Sequence, residues 1–142
     1  MARMERLEDC ISFLISKASQ QISRRTRERL APHGVTPSQY AVLKALWGKE
    51  AQSSAEVASR LVMDSATITG VVDRLEAAGL LERKADSEDR RVHRLELTAK
   101  GAALQAPLDT AMGELNEEVA REMDGEAATI WSALRRLGED RG

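Results

Sequence analysis

The sequence is poor in several residue types, and each shortage excludes a class of protein. It holds a single cysteine, Cys10, which rules out a disulfide within the chain. No apolar run approaches the roughly 18 residues that a membrane-spanning helix needs. The charged N-terminus also lacks the apolar segment of a signal peptide. We therefore expect a cytoplasmic protein that makes no contact with a membrane.

The groups that most often carry catalysis or bind metals are scarce as well. The chain has two histidines, and it lacks both a Cys/His cluster and a glycine-rich phosphate loop. Its serine-rich segments fall at predicted helix starts, where capping of the helix accounts for them. We expect no catalytic residue, no metal site and no cofactor, and therefore no enzyme.

What the chain does have is an uneven distribution of charge. Its 142 residues are 42% hydrophobic, which is enough for one globular domain with or without an attached helical region. The net charge is only −2, but residues 114–126 hold six acids and one base, whereas residues 83–94 hold five Lys or Arg and three acids. A basic surface on an otherwise acidic protein is typical of a DNA-binding protein that must avoid non-specific attachment.

A short helix with two contrasting faces is predicted from Asp64 to Gly79. Asp64 or Ser65 can cap its start, and Gly79 supplies the left-handed residue that ends it. One face is apolar at helical spacing, and the other is small and polar. Hydroxyl side chains of this kind let a helix backbone approach DNA closely and bond to base edges or phosphates. The apolar face comprises Ile68, Val71, Val72 and Leu75, and the polar face Ser65, Thr67, Thr69, Gly70 and Arg74.

The segments around this helix complete a winged helix-turn-helix pattern. Thr36 and Pro37 begin one helix, and Ser54 is predicted to cap a second, short helix just before the polar one. Two strands, Leu80–Ala85 and Val92–Leu97, then form a β-hairpin. Its tip carries Arg90 and Arg91, and a slim loop with an exposed guanidinium can enter the minor groove of DNA. We expect Asp86 and Asp89 to fix the tip by pairing with Arg91 or Arg74.

Long helices are predicted on both sides of this unit. Residues 5–30 would form a helix of about 39 Å, too long for a fold this small to bury, so we expect a partner chain. After a cap at Thr98, a further long helix contains Pro107, which should kink or split it. Asp124 and Gly125 end that helix, and a last helix is predicted over Glu126–Leu137. The fold class is therefore mainly α, with a small β-hairpin wing between long flanking helices.

Two motifs carry a resemblance to a known family. The stretch GVTPSQYAVLKAL, followed by SSAEVASRLVMDSATITGVVDRLEAAGLLERKADSEDRRVHRLELTAKG, resembles the MarR family of bacterial transcription regulators. The resemblance covers Val35–Gly101 closely, and the flanking helices match only in position and character. It implies three regions: an N-terminal dimerisation helix (1–34), a winged DNA-binding lobe (35–98) and C-terminal dimerisation helices (99–142).

The resemblance also implies a function and a set of contacts. The chain would be a homodimeric repressor on a pseudo-palindromic double-stranded operator. Arg91 would enter the minor groove, Arg90 would bind phosphate, and Asp89 would orient the pair. Near Ser54, free N–H groups at the start of the short helix would bind phosphate. The expected base or phosphate contacts on the polar helix are Ser65, Thr67, Thr69 and Arg74.

Family members are often released from DNA by a phenolic or other aromatic acid, which binds between the two kinds of region. Here the resemblance implies a pocket lined by Ser12, Ser16, Arg24, His33, Tyr40 and Trp47. Two alternatives stay open. One is a redox sensor that uses Cys10, although alignment of the first helices places Ser12 at the family's reactive position and acidic neighbours disfavour a thiolate. The other is a winged helix that binds only other proteins.

Overall fold

The computed structural model describes residues 3–48 and 52–139. In chain order the elements are α1 (Ile11–Leu30), α2 (Pro37–Leu46), β1 (Gln52–Ser53), α3 (Ser54–Leu61), α4 (Ser65–Ala77), β2 (Leu81–Ala85), β3 (His93–Leu97), α5 (Ala99–Ala103), α6 (Gln105–Glu122) and α7 (Ala127–Gly138). Short 3₁₀ turns, Leu7–Asp9 and Ala31–His33, precede and follow α1. Within the described ranges, every helix is too short or too polar to cross a membrane.

The sheet is small and antiparallel, with strand order β1–β3–β2. The β2–β3 hairpin pairs Leu81 with Leu97 at its base and Ala85 with His93 towards its tip. The other edge of β3 pairs with β1, which lies just before α3. The hairpin predicted from the sequence is confirmed, and each of its strands is one residue shorter at its start.

The core lies within the unit formed by α2, α3, α4 and the sheet. Val42, Val57, Val72, Leu75 and Leu95 are fully buried there. Val72 and Leu75 are two of the four apolar positions that helical spacing predicts for α4, and the other two, Ile68 and Val71, are buried as well. The end of α1 and the start of α6 close this core, because Leu30 and Leu108 are also fully buried.

Two predicted helix starts are wrong. The first helix begins at Ile11 rather than at Glu5, because Cys10 has an extended backbone and the Asp9 carboxylate accepts the backbone N–H of Arg6 (3.1 Å). A side chain that takes a backbone donor in this way competes with helix formation. The cap of α3 is Ser53 rather than Ser54: its Oγ accepts from the N–H of Glu56 (3.1 Å). Pairing in β1 already holds Ser53 in the extended conformation that a cap requires.

The long helix after Thr98 is split, as the proline predicts. It breaks at Leu104, between α5 and α6, three residues before Pro107. A proline at this position has no N–H to donate to the carbonyl of Ala103, and its ring would collide with that carbonyl in a continuous helix. Thr98 caps α5, as predicted. Asp124 and Gly125, which follow α6, break the chain between α6 and α7 as predicted, and both have left-handed backbones with φ values of 46° and 85°.

Helices α1, α6 and α7 pack together away from the core of the lobe. Arg25 pairs with Glu122 (2.8 Å) and Glu118 (3.2 Å), and Arg29 pairs with Glu118 (2.6 Å) and Glu114 (3.2 Å). These ion pairs join α1 to α6, yet much apolar surface on both flanking helices is left open. The exposed large hydrophobic residues include Leu7, Ile11, Leu14, Ile15 and Ile22 near or on α1, and Leu134 and Leu137 on α7.

Candidate nucleic-acid interface

The polar face of α4 is exposed along its N-terminal half. Asp64 caps the helix, since its Oδ1 accepts from the N–H of Thr67 at 2.7 Å. Hydrogen bonds from Thr67 lower the pKa of Asp64, so the cap carries its charge at neutral pH. Ser65, Thr67 and Thr69 all face solvent, while the opposite face is buried in the core. This half of α4 presents small hydrogen-bonding groups and one helix N-terminus to solvent.

Two details of that face set its shape. The Thr69 hydroxyl donates to the backbone carbonyl of Ser65 (2.7 Å), which fixes its rotamer, and its oxygen can still accept on this exposed face. Arg74 lies one turn further along and is also exposed, and its guanidinium folds back beside Gly70. A Cβ at Gly70 would lie 3.7 Å from this guanidinium, in ordinary van der Waals contact, so an alanine would fit there without displacing Arg74.

The wing tip holds one arginine in a defined orientation. Asp89 Oδ1 accepts from both the backbone N–H (3.0 Å) and Nε (3.2 Å) of Arg91. These hydrogen bonds lower the pKa of the Asp89 carboxyl. The Arg91 side chain is nevertheless 91% exposed, so its far edge is free to bind an external anion. Arg90 beside it is exposed as well.

Of the two aspartates predicted to fix the tip, only Asp89 does so as expected. Asp86 pairs with neither Arg91 nor Arg74; its carboxylate lies 3.6 Å from Arg94, on the neighbouring strand. Arg94 also pairs with Glu56 of α3 (3.4 Å). The prediction for Asp86 is wrong because Arg94, across the hairpin in β3, lies nearer than either of the expected partners.

An arginine that the sequence did not single out joins the wing to α4. Arg83 in β2 donates to Asp73 (2.6 Å) and to Glu76 (2.9 Å), both on α4, and its backbone N–H also donates to Glu76 (3.0 Å). The backbone bond from Arg83 and its guanidinium lower the pKa of Glu76. Arg83 therefore fixes the wing relative to α4 and offsets two negative charges next to the exposed polar face. The signal in the sequence for this pairing is weak: a basic residue, Arg83, follows the acids Asp73 and Glu76 within ten residues.

The end of α4 is attached to the start of α5. The Thr98 hydroxyl donates to the carbonyl of Gly79 (2.6 Å), and the Lys100 ammonium donates to that of Ala78 (3.1 Å). Gly101 packs so closely that a Cβ there would overlap the carbonyl oxygen of Leu80. The helix, the wing base and α5 therefore form one closely packed joint.

The residues predicted to line an effector pocket fall into separate groups. Ser12, Ser16 and Arg24 are exposed on α1, and His33 is half-buried in the turn after it. Tyr40 lies on α2 and Trp47 directly follows that helix, and their ring centroids are 5.9 Å apart. Trp47 is only 7% exposed and donates from Nε1 to the carbonyl of Gly101 (3.1 Å), so it is part of the core.

The Tyr40 hydroxyl belongs to a polar contact between α2 and α6. It donates to Asp109 (3.0 Å), and the Lys44 ammonium lies 2.8 Å from the same carboxylate. Burial, together with the bond to Asp109, raises the pKa of Tyr40 to about 12. Burial alone would raise the pKa of Asp109, but the bonds from Lys44 and Tyr40 lower it. Lys44 was not among the predicted pocket residues, although it shares the exposed edge of α2 with Tyr40.

A cavity lies between the flanking helices α1, α6 and α7. It has a volume of about 550 Å³ and is lined by α1, α6 and α7, with Ile22, Val119, Ile130, Trp131 and Leu134 among its apolar walls. Arg25 and Glu122 lie at its polar side. This cavity continues the exposed apolar surface of α1 and α7, and none of the predicted pocket residues lines it.

The helices α2, α3 and α4, followed by the β2–β3 hairpin, form a winged helix-turn-helix. Comparison with known proteins agrees: residues 35–93 match the model of the MarR family. The chain is 32% identical over 128 residues to the transcriptional regulator MhqR of Bacillus subtilis, which covers 89% of this chain and 88% of that protein. The chain belongs to the MarR family.

Other relatives and solved structures support the same assignment. The chain is 39% identical over 103 residues to the regulator TtmR of Methylorubrum extorquens, and this match spans about half (53%) of that protein's length. A probable transcriptional regulator from Pseudomonas aeruginosa superimposes with a TM-score of 0.86 and 32% identity, covering 93% of this chain and 99% of that one. The repressor CouR, bound to a 23-mer DNA duplex, superimposes with a TM-score of 0.84 and 25% identity, covering 98% of this chain and 99% of that one. The chain is therefore a transcription regulator with a DNA-binding fold and not an enzyme.

Proposed function

We propose that this regulator is a homodimeric, sequence-specific repressor that a small aromatic or phenolic acid releases from its operator. The observation that carries the proposal is the joint exposure of two surfaces. These are the hydroxyl-rich face of α4 and the Arg91 guanidinium that Asp89 orients. A protein of this kind would act in the cytoplasm, where its DNA is.

Each surface suits one groove of DNA. The N-terminal half of α4 would enter the major groove, with Ser65, Thr67, Thr69 and Arg74 contacting bases or phosphates. Arg91 would enter the adjacent minor groove, where the negative potential is greatest. Arg90 would bind phosphate, as would the first backbone N–H groups of α3 near Ser54.

The proposed dimer rests on the apolar surface that one chain leaves uncovered. Ile11 is 65% exposed and Leu137 is 65% exposed, on opposite flanking helices. A second copy that packed α1 and α7 against the same helices would bury these residues and the cavity between them. Residues 1–34 and 99–142 would then be the dimerisation regions, and residues 35–98 the DNA-binding lobe. Two lobes with their α4 helices about 34–36 Å apart would read a pseudo-palindrome.

The proposed effector site lies at the joint between the lobe and α6. An aromatic carboxylate could pair with the Lys44 ammonium and the Tyr40 hydroxyl in place of Asp109, which already shows that a carboxylate fits both donors. The sequence also proposes Ser12, Ser16, Arg24, His33 and Trp47, but the first three are exposed on α1 and Trp47 is part of the core, so the proposal rests on Tyr40 and Lys44. Related regulators are bound to small molecules: CouR to p-coumaroyl-CoA, and PcaV to its natural ligand. Release from DNA requires that the effector bind the two arrangements of the lobes with different affinities.

A gel-shift titration tests the proposal. The purified protein is titrated against DNA from immediately upstream of its own gene, at fixed salt and with competitor DNA, and then with a panel of aromatic carboxylates. We expect saturable binding that one compound abolishes, and a steep negative slope of log K against log salt. Binding that only oxidation of Cys10 abolishes would replace the effector by a thiol switch. No specific binding at any salt would refute the repressor and favour a protein-interaction module.

A further inference from the structure

Val62, in the turn between α3 and α4, is unfavourably placed in two respects. Its backbone is left-handed, with φ 55° and ψ 46°, a region that β-branched residues rarely adopt. The residue is 93% exposed, the highest value among the large hydrophobic residues that the structure leaves exposed. Neither the local backbone nor core packing accounts for a valine at this position.

The turn itself requires a left-handed residue, but glycine would serve it better. The N–H of Met63 donates to the carbonyl of Ala58 (2.9 Å), which is the long hydrogen bond of a Schellman closure. Elsewhere in residues 3–48 and 52–139, the left-handed positions are filled by residues that tolerate them, which are Asp124, Gly34, Gly48, Gly79 and Gly125. Since Val62 alone departs from this pattern, its isopropyl group is better explained by a contact outside the chain.

The position of the turn indicates what that contact is. Val62 lies two residues before the cap Asp64, at the end of α4 that presents Ser65 and Thr67 to solvent. In helix-turn-helix proteins this end of the recognition helix approaches the base edges. The apolar group that DNA displays in the major groove is the 5-methyl of thymine.

We propose that Val62 packs against the 5-methyl group of a thymine in each operator half-site and so helps to specify the sequence. The inference rests on the proposed DNA binding and goes beyond it, since it assigns specificity to an apolar residue outside α4. The strained backbone is retained because the side chain that it carries contacts DNA.

The test removes single methyl groups from the DNA and from the protein. Each thymine of the operator is replaced in turn by deoxyuridine, which lacks only the 5-methyl group, and affinity is measured by fluorescence anisotropy. The same series is repeated with Val62→Ala, which keeps a Cβ in the left-handed conformation, and with Val62→Gly, which relieves it. Thermal unfolding of both variants shows whether the fold is intact; the glycine variant should be at least as stable as the parent.

We expect the parent to lose affinity about fourfold at one thymine per half-site, the factor that burial of a methyl group supplies. Both variants should bind the thymine and deoxyuridine operators equally at that position. If the variants keep the parent's loss, another residue reads the methyl group and the inference is wrong. If the parent binds its operator with no methyl dependence at any thymine, the inference also fails while the repressor stands. A parent that binds no operator overturns the proposed function and this inference together.

Discussion

Replacing Arg91 by alanine should weaken operator binding without affecting the fold. The guanidinium is 91% exposed and its contacts within the chain are to Asp89, so its removal leaves no buried group unpaired. On DNA it would be a specific contact, and loss of such a contact costs about 1–3 kcal/mol, or about 5- to 150-fold in affinity per wing. A dimer inserts two wings, so the operator should lose up to the square of that factor.

The adjacent Arg90 provides a matched control. Arg90→Ala removes the same charge from the same loop, but from a residue proposed to bind phosphate. It should weaken operator and scrambled DNA alike and reduce the slope of log K against log salt by about 1 per wing. Arg91→Ala should instead reduce mainly the ratio of operator to scrambled affinity, because Arg91 would read the shape of the minor groove.

Asp89 should act only through Arg91. Asp89→Ala removes both a negative charge near DNA and the acceptor that orients the guanidinium, so affinity for scrambled DNA should rise while specificity falls. In the Arg91→Ala background the loss of specificity should not recur. Anisotropy titrations on both duplexes at three salt concentrations measure all of these quantities. A folded Arg91→Ala protein with unchanged operator affinity would refute the role of the wing, and identical effects of the two arginines would refute its specificity.

Three further changes test other parts of the structure. Because Tyr40 is the only tyrosine, absorbance at alkaline pH should show its hydroxyl ionising near pH 12 in the folded protein and near pH 10 in the unfolded protein. The contribution of Tyr40 to stability is complete below pH 10 and is lost as the pH rises towards 12. Ionisation near pH 10 in the folded protein would contradict the contact with Asp109. Gly101→Ala should lower the free energy of unfolding by about 1–3 kcal/mol, because the new Cβ would overlap a backbone carbonyl. Gly70→Ala should raise it by about 0.5–1 kcal/mol, because alanine favours a helix more than glycine does. Urea denaturation that ranked the two variants in the opposite order would refute the close packing at α5. Leu137→Glu should yield monomers by sedimentation velocity, since it places a charge on the proposed dimer surface, and an unchanged dimer would move that interface elsewhere.

Much of the DNA-binding lobe could be predicted because its signals are local. The cap at Asp64, the apolar spacing of Ile68, Val71 and Leu75, and Gly79 at the end all act within one helix. The hairpin follows from two short strands around a polar turn. Local signals failed only where a neighbour intervened, as at Ser53, whose conformation is fixed by pairing with β3.

The contacts between elements could not be predicted in this way. Arg83 reaches two acids on α4, and Lys44 reaches Asp109 across 65 residues of sequence. Their partners depend on how the elements pack, and a list of charges along the chain does not contain that information. The same holds for Val62, because its sequence neighbours give no sign of either its left-handed backbone or its exposure.

The break at Leu104 makes the angle between lobe and α6 an adjustable quantity. If α5 and α6 formed one unbroken helix, its rigid backbone would fix the direction of α4 relative to α6. The break before Pro107 removes that constraint, and the direction depends instead on contacts between the elements, among them the Lys44–Asp109 ion pair and the buried Leu108. We therefore expect single substitutions at these contacts to change the direction of α4 relative to α6 without unwinding either helix.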